Sequence, residues 1–79
     1  MKRQFELDFA RFDEDNKGYL EREECVAMAR WQLVEKNSLL DMAIVGGFVD
    51  MIETDAEGKI RLQYYITAVV GQGWRVEDA

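Results

Sequence analysis

Two acidic stretches, each turning on a single glycine, constrain this chain more than any other feature. Gly18 and Gly58 stand 40 residues apart, and each is followed two positions later by an aliphatic residue, Leu20 and Ile60. A lone glycine interrupts a helical pattern and gives the backbone the freedom a tight turn needs. One offset shared by both features predicts two equivalent loops running side by side and touching through Leu20 and Ile60, an internal duplication in pattern though not in letters.

Apolar residues at helical spacing flank both loops. Phe5, Phe9 and Phe12 follow one another at intervals of four and three, which makes residues 2–12 a helix with one apolar stripe. Cys25, Val26, Met28, Ala29, Leu33 and Val34 suit a second helix from about Leu20 to Glu35, ended by Asn37 and Ser38. Ser38 followed by Asp41 has the form of a capping box for a third helix over residues 39–52. That helix is apolar around most of its circumference, so it is expected to be buried or covered by a partner. The Gly46-Gly47 pair inside it costs about 1 kcal/mol per glycine relative to Ala. Residues 61–70 form a fourth, β-branched helix with Gly71 as its stop. The expected fold is therefore all-α: one domain over residues 1–79, with a first helix-loop-helix at about 3–35, a second at about 39–70, and a tail over 71–79.

Composition removes several classes of function. Among 79 residues there is no His and one Cys. A Ser-His-Asp triad, a Cys-His pair, a His-ligated metal and an intramolecular disulfide are all excluded. No nucleophile can be matched with a general base, so an enzyme is not expected. The net charge of −6 argues against nucleic acid and anionic membrane surfaces as partners. No apolar run approaches the roughly 20 residues of a membrane helix, and no signal-peptide pattern opens the chain. A soluble, cytoplasmic domain is the expectation.

The first loop carries the chemistry. A hard cation such as Ca²⁺ takes about six to eight oxygens, which one short loop supplies when acidic side chains alternate, the chain turns sharply and a carboxylate closes the site from the following helix. With Asp13 as the first position, Asp15 is third, Gly18 sixth, Tyr19 seventh with its carbonyl, Glu21 ninth and Glu24 twelfth. Leu20, the eighth, is where the backbone would pair with the partner loop. This pattern, with Phe5, Phe9 and Phe12 ahead of it, resembles the EF-hand family of calmodulin, troponin C and the myosin light chains, over roughly residues 3–70. The resemblance implies a Ca²⁺ site built from Asp13, Asp15, Tyr19, Glu21 and Glu24.

Lys17 departs from that pattern at the fifth position. An ammonium has no lone pair to offer, and it repels a metal unless it swings out to solvent. Two outcomes stay open on the residues alone: a weakened cation site completed by water, or a loop of the same shape without metal. The second loop, counted from Glu53, has Arg61 ninth and Tyr64 twelfth, so it is read as degenerate and empty. Acidity follows the same division. Residues 13–24 hold six acidic and two basic side chains, whereas residues 53–64 hold three and two.

The resemblance further implies an apolar groove between helices that receives an amphipathic helix of a partner, for example an IQ-like segment. Two functional classes follow: a Ca²⁺-responsive regulator, or a metal-independent, light-chain-like module. A single lobe of a longer four-loop protein and self-association through residues 42–52 are further expectations. Met28, Met42 and Met51 are read as core residues ahead of groove-lining ones. Trp31 is read as a core or rim aromatic, Trp74 as docked against the domain, and Cys25 as a small buried residue.

Overall fold

The computed structural model describes the backbone of residues 2–76 and the side chains of residues 3–76. The last part of the expected tail, residues 77–79, lies outside the described residues. Four α-helices form the framework: α1 (Lys2–Phe12), α2 (Arg22–Ala29), α3 (Val45–Met51) and α4 (Leu62–Gly71). The fold is all-α. Among the described residues the only β pairing is the isolated antiparallel bridge between Leu20 and Ile60. Each of these residues donates its N–H to the other's carbonyl, at 2.8 and 3.0 Å. Both side chains are buried, so the loops are joined by backbone and by core at one point.

α1 buries Phe5 and Phe9, as its stripe requires, together with Gln4 and Asp8 one position before each. It packs against α2 and α4, and α2 packs against α3. The core between them holds Leu20, Met28, Leu33, Tyr65 and Val69, all fully buried, with Tyr65 meeting Phe5 edge-on at 5.9 Å. No helix among the described residues is long and apolar enough to cross a membrane.

Three local features differ from the sequence reading. The second helix changes register: after Ala29 the chain continues as a π-helix over Arg30–Lys36. This wider winding brings neighbouring side chains closer to one face, and Gln32 and Leu33 are both fully buried. The segment closes with the N–H groups of Leu39 and Leu40 both donating to the Leu33 carbonyl, at 2.6 and 3.0 Å. Ser38 takes a left-handed φ of 53° in this closure and does not cap the next helix. Asp41 holds that position, before a 3-10 turn at Met42–Ile44 that leads into α3.

The third helix is consequently shorter than residues 39–52, and one side of it is open. Ile44 and Met51 are 54% and 68% exposed, while Val45, Phe48 and Val49 are buried. Neither Gly46 nor Gly47 is required by a close approach, since a Cβ at either position would meet nothing nearer than 3.7 Å. The methionines divide, with Met28 in the core and Met42 and Met51 exposed.

Candidate functional site

The first loop begins where α1 ends. Asp13 N–H donates to the Phe9 carbonyl at 2.9 Å, which leaves the Asp13 side chain facing back into the turn. Its carboxylate, buried at 5% exposure, accepts the N–H groups of Lys17 at 2.9 Å and Gly18 at 2.8 Å. Those two bonds fold the loop around one carboxylate. Gly18 has φ +86° and Gly58 +79°, conformations costly for any residue with a Cβ.

Lys17 does not swing out to solvent. Its Nζ lies 3.1 Å from both carboxylate oxygens of Glu24 and 3.4 Å from Asp13 Oδ1. Glu24 also accepts the N–H of Glu21 at 2.9 Å, satisfying a donor at the start of α2. The ammonium thus sits between the first and last acidic residues of the loop. The side chains of Lys17 and Glu24 are each only 20% exposed, so this pair is more sheltered than an ordinary surface ion pair.

The other expected ligands lie elsewhere. Asp15 is exposed. Glu21 is engaged by Lys59 from the second loop, Nζ to Oε1 2.8 Å. The Tyr19 ring faces three cations, Lys17, Lys59 and Arg61. Of the five predicted ligands, the structure brings Asp13 and Glu24 together and holds them through an ammonium. Among the described residues no three His, Cys, Asp or Glu side chains converge as a metal-binding group. The donor set in this arrangement does not fit a divalent ion, because Lys17 already uses the oxygens that would bind it.

The second loop reaches the same end with different residues. Asp55 Oδ1 accepts the N–H groups of Glu57 and Lys59, both at 2.9 Å. Its Oδ2 takes the forked guanidinium of Arg61, at 3.2 Å from Nε and 3.0 Å from the terminal nitrogen. The anchoring acid has moved from Glu53, which is exposed, to Asp55.

These contacts set how the loop responds to acid. Partial burial pushes the Glu24 carboxyl up, but the Glu21 N–H and the Lys17 ammonium outweigh it and hold the group below its ordinary 4.5. Burial likewise works against Asp13, and the N–H groups of Lys17 and Gly18, followed by the ammonium, hold it below 3.8. The unfolded chain therefore takes up protons first as the pH falls. The loop's contribution is complete above those ordinary values and disappears as acid titrates down to the lowered folded ones. The urea midpoint should be constant from about pH 7 to about pH 5 and drop through the carboxylate range below. A midpoint that rises on acidification contradicts this arrangement. Cys25, fully buried beside the loop, has its thiol pushed up to about 12 by burial, which keeps it protonated and inert at neutral pH.

A second feature lies along α3. Leu40, Ile44, Phe48, Met51 and Trp74 line a cavity of 380 Å³, with Gln72 the only polar side chain on its wall. Trp74 follows the left-handed Gly73 and stacks obliquely on Phe48 at 5.3 Å. It docks against the domain while still forming one wall of an open groove. The sequence reading placed Met51 and Trp74 separately; what it lacked was the turn at Gly73 that brings them to one place.

Sequence reasoning also missed a polar network in the core. Gln32 Nε2 donates to Asp8 Oδ2 at 2.6 Å, Gln4 Nε2 donates to Asp8 Oδ1 at 2.8 Å, and the Tyr65 hydroxyl donates to Gln32 Oε1 at 2.9 Å. It ties α1, the π segment and α4 together. The available signal was the position of Gln4 and Asp8, each one residue before a buried Phe.

Comparison with known protein families, with curated proteins and with solved structures finds no match to this chain.

Proposed function

We propose that the chain is an EF-hand-like interaction module that holds an amphipathic helix of a partner protein in the groove beside α3, in the cytoplasm. The observation that carries this reading is the apolar groove itself, whose walls include two large side chains, Ile44 and Met51, left more than half exposed. Contiguous apolar surface of this kind, rimmed by polar residues, is a usual mark of a protein-binding site.

Charge narrows the occupant. Residues 37–58 contain no Lys or Arg; of their acids Asp50 and Asp55 are held by Arg22 and Arg61, while Asp41, Glu53 and Glu57 are exposed. A helix presenting an apolar stripe toward Phe48 and Trp74 and basic residues toward this segment is complementary in both respects. The EF-hand resemblance is supported by two glycine-turned acidic loops joined at Leu20 and Ile60, and by Glu24 approaching Asp13 from the following helix. Of the two functional classes, the metal-independent one is favoured, since a divalent ion would have to displace Lys17 first.

The test uses a basic amphipathic peptide with leucines at helical spacing, titrated into the chain and followed by calorimetry. Saturable binding is expected for the wild type and at least a tenfold loss for Ile44→Glu, which places a charge on the groove wall at an already exposed position and leaves the fold intact. Equal binding by both chains would remove the groove as the site. A concentration-dependent sedimentation profile abolished by the same substitution would instead assign the groove to a second copy of the chain.

A further inference from the structure

Three cations drawn from both loops, two of them (Lys17 and Arg61) at positions where the metal-ligand pattern wants an oxygen, converge on one aromatic ring. Lys17, at the fifth position of the first loop, and Lys59 and Arg61, at the seventh and ninth of the second, come from different parts of the chain. Their charged groups lie 5.5, 5.2 and 5.3 Å from the centre of the Tyr19 ring, within the range of cation-π attraction. Each also holds an acid: Lys17 holds Glu24 and Asp13, Lys59 holds Glu21, and Arg61 holds Asp55. The carboxylates so engaged belong to both loops, and the Lys59–Glu21 pair crosses between them.

We infer that Lys17, Lys59 and Arg61 are a built-in cation set that replaces divalent metal and clasps the two loops together around Tyr19. One positive group stands between the first and last acids of the first loop, and another is forked onto the anchoring acid of the second. The loops are therefore fixed at every Ca²⁺ concentration, and the groove beside α3 is not under metal control. Lys17 is the decisive member, because its ammonium shares the oxygens of Asp13 and Glu24. Removing its charge leaves those two carboxylates uncompensated at a loop whose glycine turn is already formed. Lys17→Gln converts the loop from a salt-bridged one to a metal-responsive one, since the amide keeps a donor for Glu24 and brings a carbonyl oxygen.

The experiment is a calorimetric Ca²⁺ titration of the full chain, stripped of metal, as wild type and as Lys17→Gln, with thermal melting in parallel. The wild type is expected to give no saturable heat and no change in melting temperature up to about 1 mM Ca²⁺. Lys17→Gln is expected to gain one site at least about 100-fold tighter than that limit, near the sensor range of such loops, and to melt higher with Ca²⁺ than without. Adding Glu24→Gln to Lys17→Gln should remove the site. Micromolar binding by the wild type, with amide shifts across residues 13–24, overturns the inference, as does a folded Lys17→Gln chain that ignores Ca²⁺. Should Lys17→Gln be unfolded in chelator, helix formation on adding Ca²⁺ supports the inference and its absence overturns it.

Discussion

Tyr65→Ala is expected to be the most destabilising single truncation in the core, costing about 4–8 kcal/mol at 25 °C. Tyr65 is fully buried, meets Phe5 edge-on at 5.9 Å, and donates its hydroxyl proton to Gln32. Truncating a large buried aromatic costs about 3–5 kcal/mol, and here it also strips Gln32 Oε1 of its donor. Against a total stability of roughly 4–12 kcal/mol for a chain of this length, the combined loss removes between about a third and all of it. Tyr65→Phe separates the two contributions. It keeps the ring and removes only the hydrogen bond, for an expected loss of about 1–2 kcal/mol. Urea unfolding followed by far-UV circular dichroism reads both. If Phe and Ala at this position are equally damaging, the hydroxyl dominates and the packing account of the core is wrong.

The second large effect is expected at Gln32. Its amide donates to a buried carboxylate, Asp8, and its carbonyl accepts from a buried phenol, so one side chain satisfies two helices at once. Gln32→Ala leaves a cavity, removes one of the donors to Asp8 and orphans the Tyr65 hydroxyl, for about 3 kcal/mol in total. Its effect should not add to that of Tyr65→Phe. The double variant is expected to cost less than the sum of the singles by about 1 kcal/mol, because each removes the same bond. Strict additivity in urea midpoints would show that Gln32 and Tyr65 act independently.

The loops were legible in the sequence because their determinants are local. A φ near +80° favours glycine, so Gly18 and Gly58 mark the turns, and their common offset to Leu20 and Ile60 matches the backbones that meet. Phe5 and Phe9 are core residues for the same kind of reason, a stripe set by helical spacing alone. What was not legible depends on contacts made across the chain. Lys17 has a long side chain whose direction is decided by Glu24, seven residues away, whereas the sequence reading considered only that it repels a metal or swings out to solvent. Arg61 reads as a defect in a ligand pattern until Tyr19 and Asp55 are seen beside it, and Lys59 carries no signal at all until Glu21 is seen opposite it. The π register of Arg30–Lys36 leaves no signature in hydrophobic spacing. Gln4, Asp8 and Gln32 are polar residues that hydrophobic spacing passes over, and only the approach of α4 makes them a core network. At the first loop the sequence names Asp13 and Glu24, and the structure places the Lys17 ammonium between them.

That difference changes what regulation is available to the groove. A loop closed by metal responds to Ca²⁺, whereas under the proposed function a loop closed by Lys17 leaves the groove open to a helix at any Ca²⁺ concentration. The most direct test is the affinity of the basic amphipathic peptide for the wild-type chain, measured once in chelator and once in millimolar Ca²⁺. The account predicts the same Kd in both. Binding that requires Ca²⁺, or tightens tenfold or more on adding it, would contradict it and return the first loop to the role of a sensor.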